Sequence, residues 1–152
     1  MIRCTFEDGK TAQLRHVVVD VLLFNAARSE ILLVRRSPNL NNGGKLGVIG
    51  GYVEPNENCA HAAKREVLEE TGYTIVNLEL LEILDGPRPK DERQNIAFVY
   101  TATALEKVGE PDHESTEQLW LQLSDLPEES AFAFDHYTHI MHYLESAKRG
   151  TI

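Results

Sequence analysis

The chain has 152 residues, 42% hydrophobic and 26% charged, which is ordinary for one globular domain covering residues 1–152. Its formal charge of −9 would repel nucleic acid and anionic membranes, so we expect neither as a partner. The two cysteines, Cys4 and Cys59, are too few for a disulfide framework or a zinc cluster. No apolar run is long enough to span a membrane, and the start of the sequence lacks the apolar core of a signal peptide. We therefore expect a cytoplasmic setting.

The N-terminal part of the chain is rich in strand-forming residues. Asp8-Gly9 lies between two short segments and favours a hairpin turn. Two longer β-rich apolar runs follow, separated by a polar turn, and both predict buried strands. The predicted strands cover residues 2–6, 11–15, 17–24 and 31–35.

The middle of the chain predicts a loop, a strand and a helix. Residues 37–45 are rich in Pro, Asn and Gly, which is typical of a loop that moves over a ligand and equally of an idle surface loop. Residues 46–53 predict a strand and turn. Asn58 or a neighbour would then cap a helix that runs to about Thr71, where Gly72 is a natural C-terminal stop.

The C-terminal part of the chain predicts three more strands and a second helix. The strands cover residues 74–85, 94–105 and 119–123, and a charged loop at 86–93 separates the first two. The helix begins after Asp135 as N-cap. Its predicted buried stripe at i, i+3, i+4 and i+7 consists of Tyr137, Ile140, Met141 and Leu144. The elements together predict an α/β chain with a mixed sheet.

Three glutamates on the first helix carry the strongest chemical signal. Glu66, Glu69 and Glu70 stand at i, i+3 and i+4, so their carboxylates share one face and repel each other unless a cation is held between them. The alternative is a solvated helix face laced with ion pairs. Arg65 could pair with Glu69, but Glu66 and Glu70 have the same spacing and like charges, which favours a site for a hard metal ion.

The residues before the glutamates extend this signal into a motif. Gly51 precedes Glu57 by six positions, Glu57 precedes Arg65 by eight, and Gly72 closes the run. Seven specified residues at this spacing would recur by chance at about one in 10⁸ positions at average usage. The pattern Gly-x5-Glu-x7-Arg-Glu-x2-Glu-Glu-x-Gly resembles the Nudix box, so the chain resembles the Nudix hydrolases, including MutT.

The resemblance implies a Nudix-type α/β/α sandwich with a mixed β-sheet. It also implies hydrolysis of phosphoric anhydrides with Mg²⁺, for which Mn²⁺ could substitute, because oxygen ligands suit these ions. Arg65 would orient a carboxylate by a bidentate hydrogen bond, and Glu57 would either bind an outer metal ion or brace the loop. The implied metal ligands are the Gly50 carbonyl, Glu57, Glu66, Glu69 and Glu70, and the implied catalytic residues are Arg65, Glu66, Glu69 and Glu114.

Glu114 is the candidate for a carboxylate from outside the box. In similar proteins such a glutamate lies about six residues before a Trp, here Trp120, and acts as metal ligand or general base. The alternative is a solvated acidic loop that also contains Glu110 and Glu117. Arg35 and Arg36 end a predicted strand where related enzymes bind substrate phosphates with an arginine, although a surface role is equally open.

The residues that would select the substrate give weaker signals. Pro87 lies fifteen residues after Gly72, near the proline of many ADP-ribose pyrophosphatases, which favours ADP-ribose or another nucleotide sugar as the small-molecule partner. Lys45-Leu46 and the two arginines resemble the MutT type instead, which acts on nucleoside triphosphates. A non-catalytic nucleotide-sensing module is the alternative of another class. An RNA-end hydrolase fits the acidic charge poorly, and a homodimer is compatible with the sequence.

Three histidines recur on the last predicted helix. His136, His139 and His142 are spaced by threes, but no cysteine or carboxylate stands at ligand spacing beside them. We therefore expect them to form a polar flank of the helix and not a metal site.

Overall fold

A computed structural model describes residues 2–86, 94–111 and 115–150. In this described part of the chain the main sheet has seven strands: β3 (Val17–Phe24), β4 (Glu30–Arg36), β5 (Leu46–Gly47), β6 (Ile49–Tyr52), β7 (Tyr73–Leu84), β8 (Ile96–Lys107) and β9 (Ser115–Gln122). The strand order contains β5-β4-β3-β8-β7, with β6 paired to β3 and β9 paired to β4. β3 and β8 run parallel and the other pairs are antiparallel, so the sheet is mixed as predicted.

A separate two-stranded sheet begins the chain. It consists of β1 (Ile2–Thr5) and β2 (Thr11–Leu14), which pair antiparallel. Gly9 has a φ of 79° in the connecting turn, a value that glycine adopts without the steric cost of a Cβ. The predicted hairpin is therefore confirmed.

The first helix, α1 (Cys59–Thr71), begins and ends where the sequence predicts. The side chain of Asn58 accepts a hydrogen bond from the backbone N–H of His61 at 2.9 Å. Gly72 ends the helix in the left-handed conformation and donates its N–H to the Leu68 carbonyl. Both ends are thus fixed by local capping, which needs no tertiary contact to be read from the sequence.

The two helices lie on opposite faces of the main sheet. Alternate residues of β3 face opposite ways: Val19 and Val21 pack in one core cluster with Val67 of α1. Leu22 and Phe24 pack in the other cluster with the second helix, α2 (His136–Lys148). This is the predicted α/β/α sandwich.

Two details differ from the sequence prediction. The buried residues of α2 are His136, His139, Ile140 and Tyr143, so of the predicted stripe only Ile140 is fully buried. Tyr137 and Leu144 are partly buried and still pack against the second core cluster, and the two buried histidines lie near Asp20 of β3. The predicted strand at 46–53 is also divided in two at Val48. In the described part of the chain, no helix is long and apolar enough to cross a membrane.

Candidate active site

Two glycines allow β6 to approach its neighbours closely. Gly50 lies opposite Asp20 of β3, and Gly51 lies opposite Val19. A Cβ on Gly50 would collide with the Val19 carbonyl, and a Cβ on Gly51 would collide with the Glu66 carboxylate. The glycine pair therefore lets the backbone of β6 lie directly against a carboxylate of α1.

Glu70 is buried behind this strand. It is only 7% exposed, and its Oε1 accepts a hydrogen bond from the Gly50 N–H at 3.0 Å. The amide of Gln118 on β9 donates to the carbonyls of Glu70 and Thr71, each at 3.1 Å. The C-terminal end of α1 is thus held between β6 and β9, which fixes the Glu70 side chain against the Gly50 backbone.

Arg65 is the hub of the glutamate cluster. Its Nη2 and Nε donate to the two oxygens of Glu57 at 2.7 and 3.2 Å. Its Nη1 donates to Glu66 at 2.8 Å and to Glu69 at 2.9 Å, and Nη2 also reaches the Tyr52 carbonyl at 3.0 Å. One guanidinium therefore orients three carboxylates and ties α1 to the end of β6.

The charges in this cluster stabilise each other. The side-chain hydrogen bond from Arg65, followed by the backbone N–H of Glu54, holds the pKa of Glu57 below its usual value. Hydrogen bonding to Glu57 above all, and then to Glu69 and Glu66, raises the pKa of the Arg65 guanidinium still further above neutrality. The Glu57 carboxylate thus links the backbone of the loop before α1 to Arg65 on the helix.

A cavity of about 390 Å³ lies beside the cluster. Arg65, Glu66 and Glu69 line it on the side of α1, and Gly50 and Gly51 contribute the backbone of β6. Glu57 and Glu70 are not among the lining residues, but they accept hydrogen bonds from Arg65 and from the Gly50 N–H, and both of those residues line the cavity. The rest of the lining comes from β3, the end of β4 and the residues around the starts of β8 and α2. It includes Asp20, Arg36, Asn95, Phe134, Asp135 and His136.

The two candidate phosphate-binding arginines occupy different places. Arg36 lines the cavity, where its guanidinium lies 5.0 Å from the centre of the Phe134 ring and its Nε donates to the Asn41 carbonyl at 2.9 Å. Arg35 lies on the other face of β4. It pairs with Glu117 at 2.8 Å and also donates to the Gly44 carbonyl at 3.1 Å.

Several cavity residues were not identified from the sequence. Asp20 is the one charged residue in the run VVVDVLLF of β3, and a lone carboxylate in a buried strand is a usable signal. Asn95 is 8% exposed, and its Oδ1 has no hydrogen-bond partner among the described residues. No sequence pattern marks Asn95, which directly precedes β8, the strand that pairs parallel with the distant strand β3.

The expected polar flank of histidines is wrong for two of its three members. His136 is 7% exposed and His139 is 1% exposed, and the His136 Nδ1 accepts a hydrogen bond from the Val48 N–H at 3.1 Å. Only His142 fits the expectation, with its side chain 45% exposed. The other two lie inward because Asp20 gives them a polar neighbour on the sheet.

The donor set suits a hard divalent ion. The glutamates and the Gly50 backbone offer only oxygen atoms, the ligands that Mg²⁺ and Mn²⁺ prefer. Over residues 2–86, 94–111 and 115–150, no group of three acidic, histidine or cysteine side chains is arranged to hold a metal ion. Glu66 and Glu69 each accept a hydrogen bond from Arg65. Glu114 and Pro87 lie outside the described residues.

Comparison with known sequences places the chain in a family. A model of the NUDIX domain matches residues 14–143. The ADP-ribose pyrophosphatase of Methanocaldococcus jannaschii is 28% identical over 116 residues, which cover 76% of this chain and 66% of that protein. The matched region covers between 30% and 66% of the length of the curated relatives.

Solved structures agree with the family match. A NUDIX hydrolase from Nitrosomonas europaea superimposes with a TM-score of 0.76 at 20% identity, covering 88% of this chain and 90% of that one. The NUDIX domain of Shewanella oneidensis NrtR, complexed with ADP ribose, gives a TM-score of 0.74 at 25% identity and covers 90% of each chain. The motif, the fold and the matched length agree, and the chain belongs to the Nudix hydrolase family.

Proposed function

We propose that the protein hydrolyses, with Mg²⁺, the diphosphate linkage of a nucleoside diphosphate that carries a second group, with ADP-ribose as the first candidate. One observation carries the proposal: Arg65 clamps Glu66 and Glu69 at the wall of a cavity of about 390 Å³. The choice of ADP-ribose is supported by the M. jannaschii pyrophosphatase and by the ADP-ribose complex of the NrtR domain.

The ligands that we propose for the metal are Glu66, Glu69, Glu70 and the Gly50 carbonyl. When bound, Mg²⁺ neutralises phosphate oxygens and lowers the pKa of an attacking water. Glu70 already contacts the Gly50 backbone through its hydrogen bond, so these two ligands belong to one rigid unit. Glu57 is assigned a bracing role because both of its oxygens are held by Arg65.

The remaining steps are assigned to side chains of the protein. Arg36, in the cavity lining, would bind the diphosphate oxygens, since a guanidinium matches phosphate geometry. Arg65 would keep the Glu66 and Glu69 carboxylates aligned during the reaction, as an orienting group commonly does in metal sites. Glu114, which follows the strand β8 and precedes β9, is proposed to accept the proton of the attacking water.

A substrate panel tests the proposal. The protein would be assayed with Mg²⁺ on ADP-ribose, sugar nucleotides, nucleoside triphosphates and capped RNA, and the products identified by mass. We expect AMP and ribose 5-phosphate from ADP-ribose. Release of pyrophosphate from triphosphates alone would favour the MutT type instead, and tight ADP-ribose binding without turnover would favour a sensing module.

A further inference from the structure

Asn95 is a buried residue of the cavity wall whose side-chain oxygen has no partner. The residue is 8% exposed, and its Oδ1 has no hydrogen-bond partner among the described residues. An unpaired buried acceptor costs free energy, and such groups are uncommon in folded proteins. Because Asn95 lines the cavity, a donor group of a bound molecule can supply the missing hydrogen bond.

The backbone around Asn95 is held in place by Arg15. The guanidinium donates to the carbonyls of Gln94 and Asn95, each at 2.9 Å, and to the carbonyl of Asp85 just after β7 at 2.6 Å. Gln94 has a φ of 50°, in the left-handed region that residues with a Cβ seldom adopt. These bonds fix the backbone at the start of β8, and the Asn95 side chain takes no part in them.

A largely apolar row of side chains lies beside Asn95. In the sheet register, Val18 of β3 lies opposite Tyr52 of β6 on one side and opposite Ala97 of β8 on the other. All three line the cavity, as does Asn95, two positions before Ala97. Tyr52 is 48% exposed, and a half-exposed ring offers a surface for stacking. This part of the cavity therefore combines an apolar surface with one unpaired polar atom.

The row leads away from the candidate metal ligands. Tyr52 directly follows Gly51, whose backbone lies against the Glu66 carboxylate, and the Tyr52 carbonyl accepts a hydrogen bond from Arg65. From β6 to β8 the sheet spans two strand spacings, about 10 Å. A substrate whose diphosphate lies at the glutamates would therefore place one of its attached groups, and not its phosphates, near Asn95.

A nucleobase fits these surfaces better than a sugar does. A base has flat apolar faces and polar edges, so its face can pack on the apolar row while its edge reaches Asn95. A sugar carries hydroxyl groups around its ring, and burial against apolar side chains would leave some of them unpaired. In nucleic-acid complexes an asparagine carboxamide pairs with the amino group and N7 of adenine. An oxo group in place of that amino group would face the Asn95 oxygen as a second acceptor.

We infer that Asn95 is a specificity-determining residue whose side-chain oxygen accepts a hydrogen bond from the exocyclic amino group of the substrate's nucleobase. The base itself packs against Tyr52, Val18 and Ala97. This inference deepens the proposed function and rests on it for the presence of a nucleotide in the cavity. It selects adenine over hypoxanthine, in which an oxo group replaces the amino group.

Binding of nucleoside monophosphates tests the inference without turnover. AMP and IMP would be titrated into the wild-type protein with Mg²⁺ by isothermal calorimetry, and the side-chain amide signal of Asn95 would be followed by NMR. We expect AMP to bind roughly tenfold more tightly than IMP and to shift the Asn95 signal more. Equal affinity for the two nucleotides, or no binding of AMP, would overturn the inference. A clear preference for AMP without turnover of ADP-ribose would instead refute the proposed hydrolase function alone.

A pair of variants assigns the preference to Asn95. Asn95→Leu removes the acceptor with little change in side-chain volume, and Gln13→Leu makes the matched change from carboxamide to leucine at an exposed position of β2. We expect Asn95→Leu to lose the preference for AMP over IMP and to melt near the native temperature, since replacing an unpaired buried polar group costs little. Gln13→Leu should keep the wild-type preference. A folded Asn95→Leu that still prefers AMP would contradict the role, and if this variant fails to fold, the wild-type titrations decide.

Discussion

Arg65 donates two hydrogen bonds to Glu57, at 2.7 and 3.2 Å, across eight positions of the chain. This fork joins the loop before α1 to the middle of the helix. The same guanidinium also contacts Glu66 and Glu69, so the loop, the helix and two candidate metal ligands share one planar cation. The ammonium group of a lysine acts as a point charge and cannot donate hydrogen bonds in all of these fixed directions.

Arg65→Lys is expected to lower kcat by roughly 10- to 100-fold because the carboxylates lose their common orientation. The overall charge is unchanged, so simple electrostatics cannot account for the loss. Lys64→Arg, an exposed exchange on the same helix, is the matched control and should be near neutral. Steady-state kinetics with the preferred substrate measures both, and native kcat in Arg65→Lys would contradict the hub role.

Gly51→Ala should disturb the site while leaving the fold intact. The new Cβ would collide with the Glu66 carboxylate, and a shift of about 1 Å in a catalytic group can cost about a hundredfold in rate. Gly86→Ala is the control, because a Cβ at Gly86 meets no atom of the described residues within 4 Å. Circular dichroism and kcat would be compared, and equal activity in the two variants would rule out the close approach as a requirement.

Glu57→Gln should change how stability depends on pH. Arg65 holds the pKa of Glu57 below its usual value, so the ionised form favours the folded state. This contribution is fully present above the pKa of a glutamate in the unfolded chain and is lost as pH falls through the lower folded pKa. Denaturant titrations should show wild type more stable than the variant at neutral pH and the difference vanishing in acid. A difference that grows in acid would contradict the assignment.

Arg36 and Arg35 should differ in their effect on substrate affinity. Arg36→Ala removes a guanidinium from the cavity lining and is expected to raise KM by roughly tenfold, as for a lost charge-assisted contact. Arg35→Ala breaks a half-exposed pair with Glu117, an interaction that is usually worth little, and should have the smaller effect. The reverse order would show that the substrate approaches from the other face of β4.

The sequence predicts the parts of this site that local rules govern. The Asn58 cap, the Gly72 stop and the i, i+3, i+4 glutamates all follow from spacing within one helix. The opposite side of the cavity does not, because Asp20 of β3 and Asn95, just before β8, line one cavity only after two distant segments pair as parallel strands. The burial of His139 was missed for the same reason: its carboxylate neighbours come from β3 and β7 as well as from its own helix.

The most direct test of metal-dependent hydrolysis measures the Mg²⁺-dependent turnover of ADP-ribose by the Glu70→Gln variant. The control is Glu79→Gln, which makes the same change at an exposed position of β7. A glutamine at position 70 can still accept the Gly50 N–H through its carbonyl, so the change removes charge more than structure. We expect Glu70→Gln to melt near the native temperature and to lose turnover by about a hundredfold or more, with Glu79→Gln unaffected. Native turnover in a folded Glu70→Gln would contradict the account.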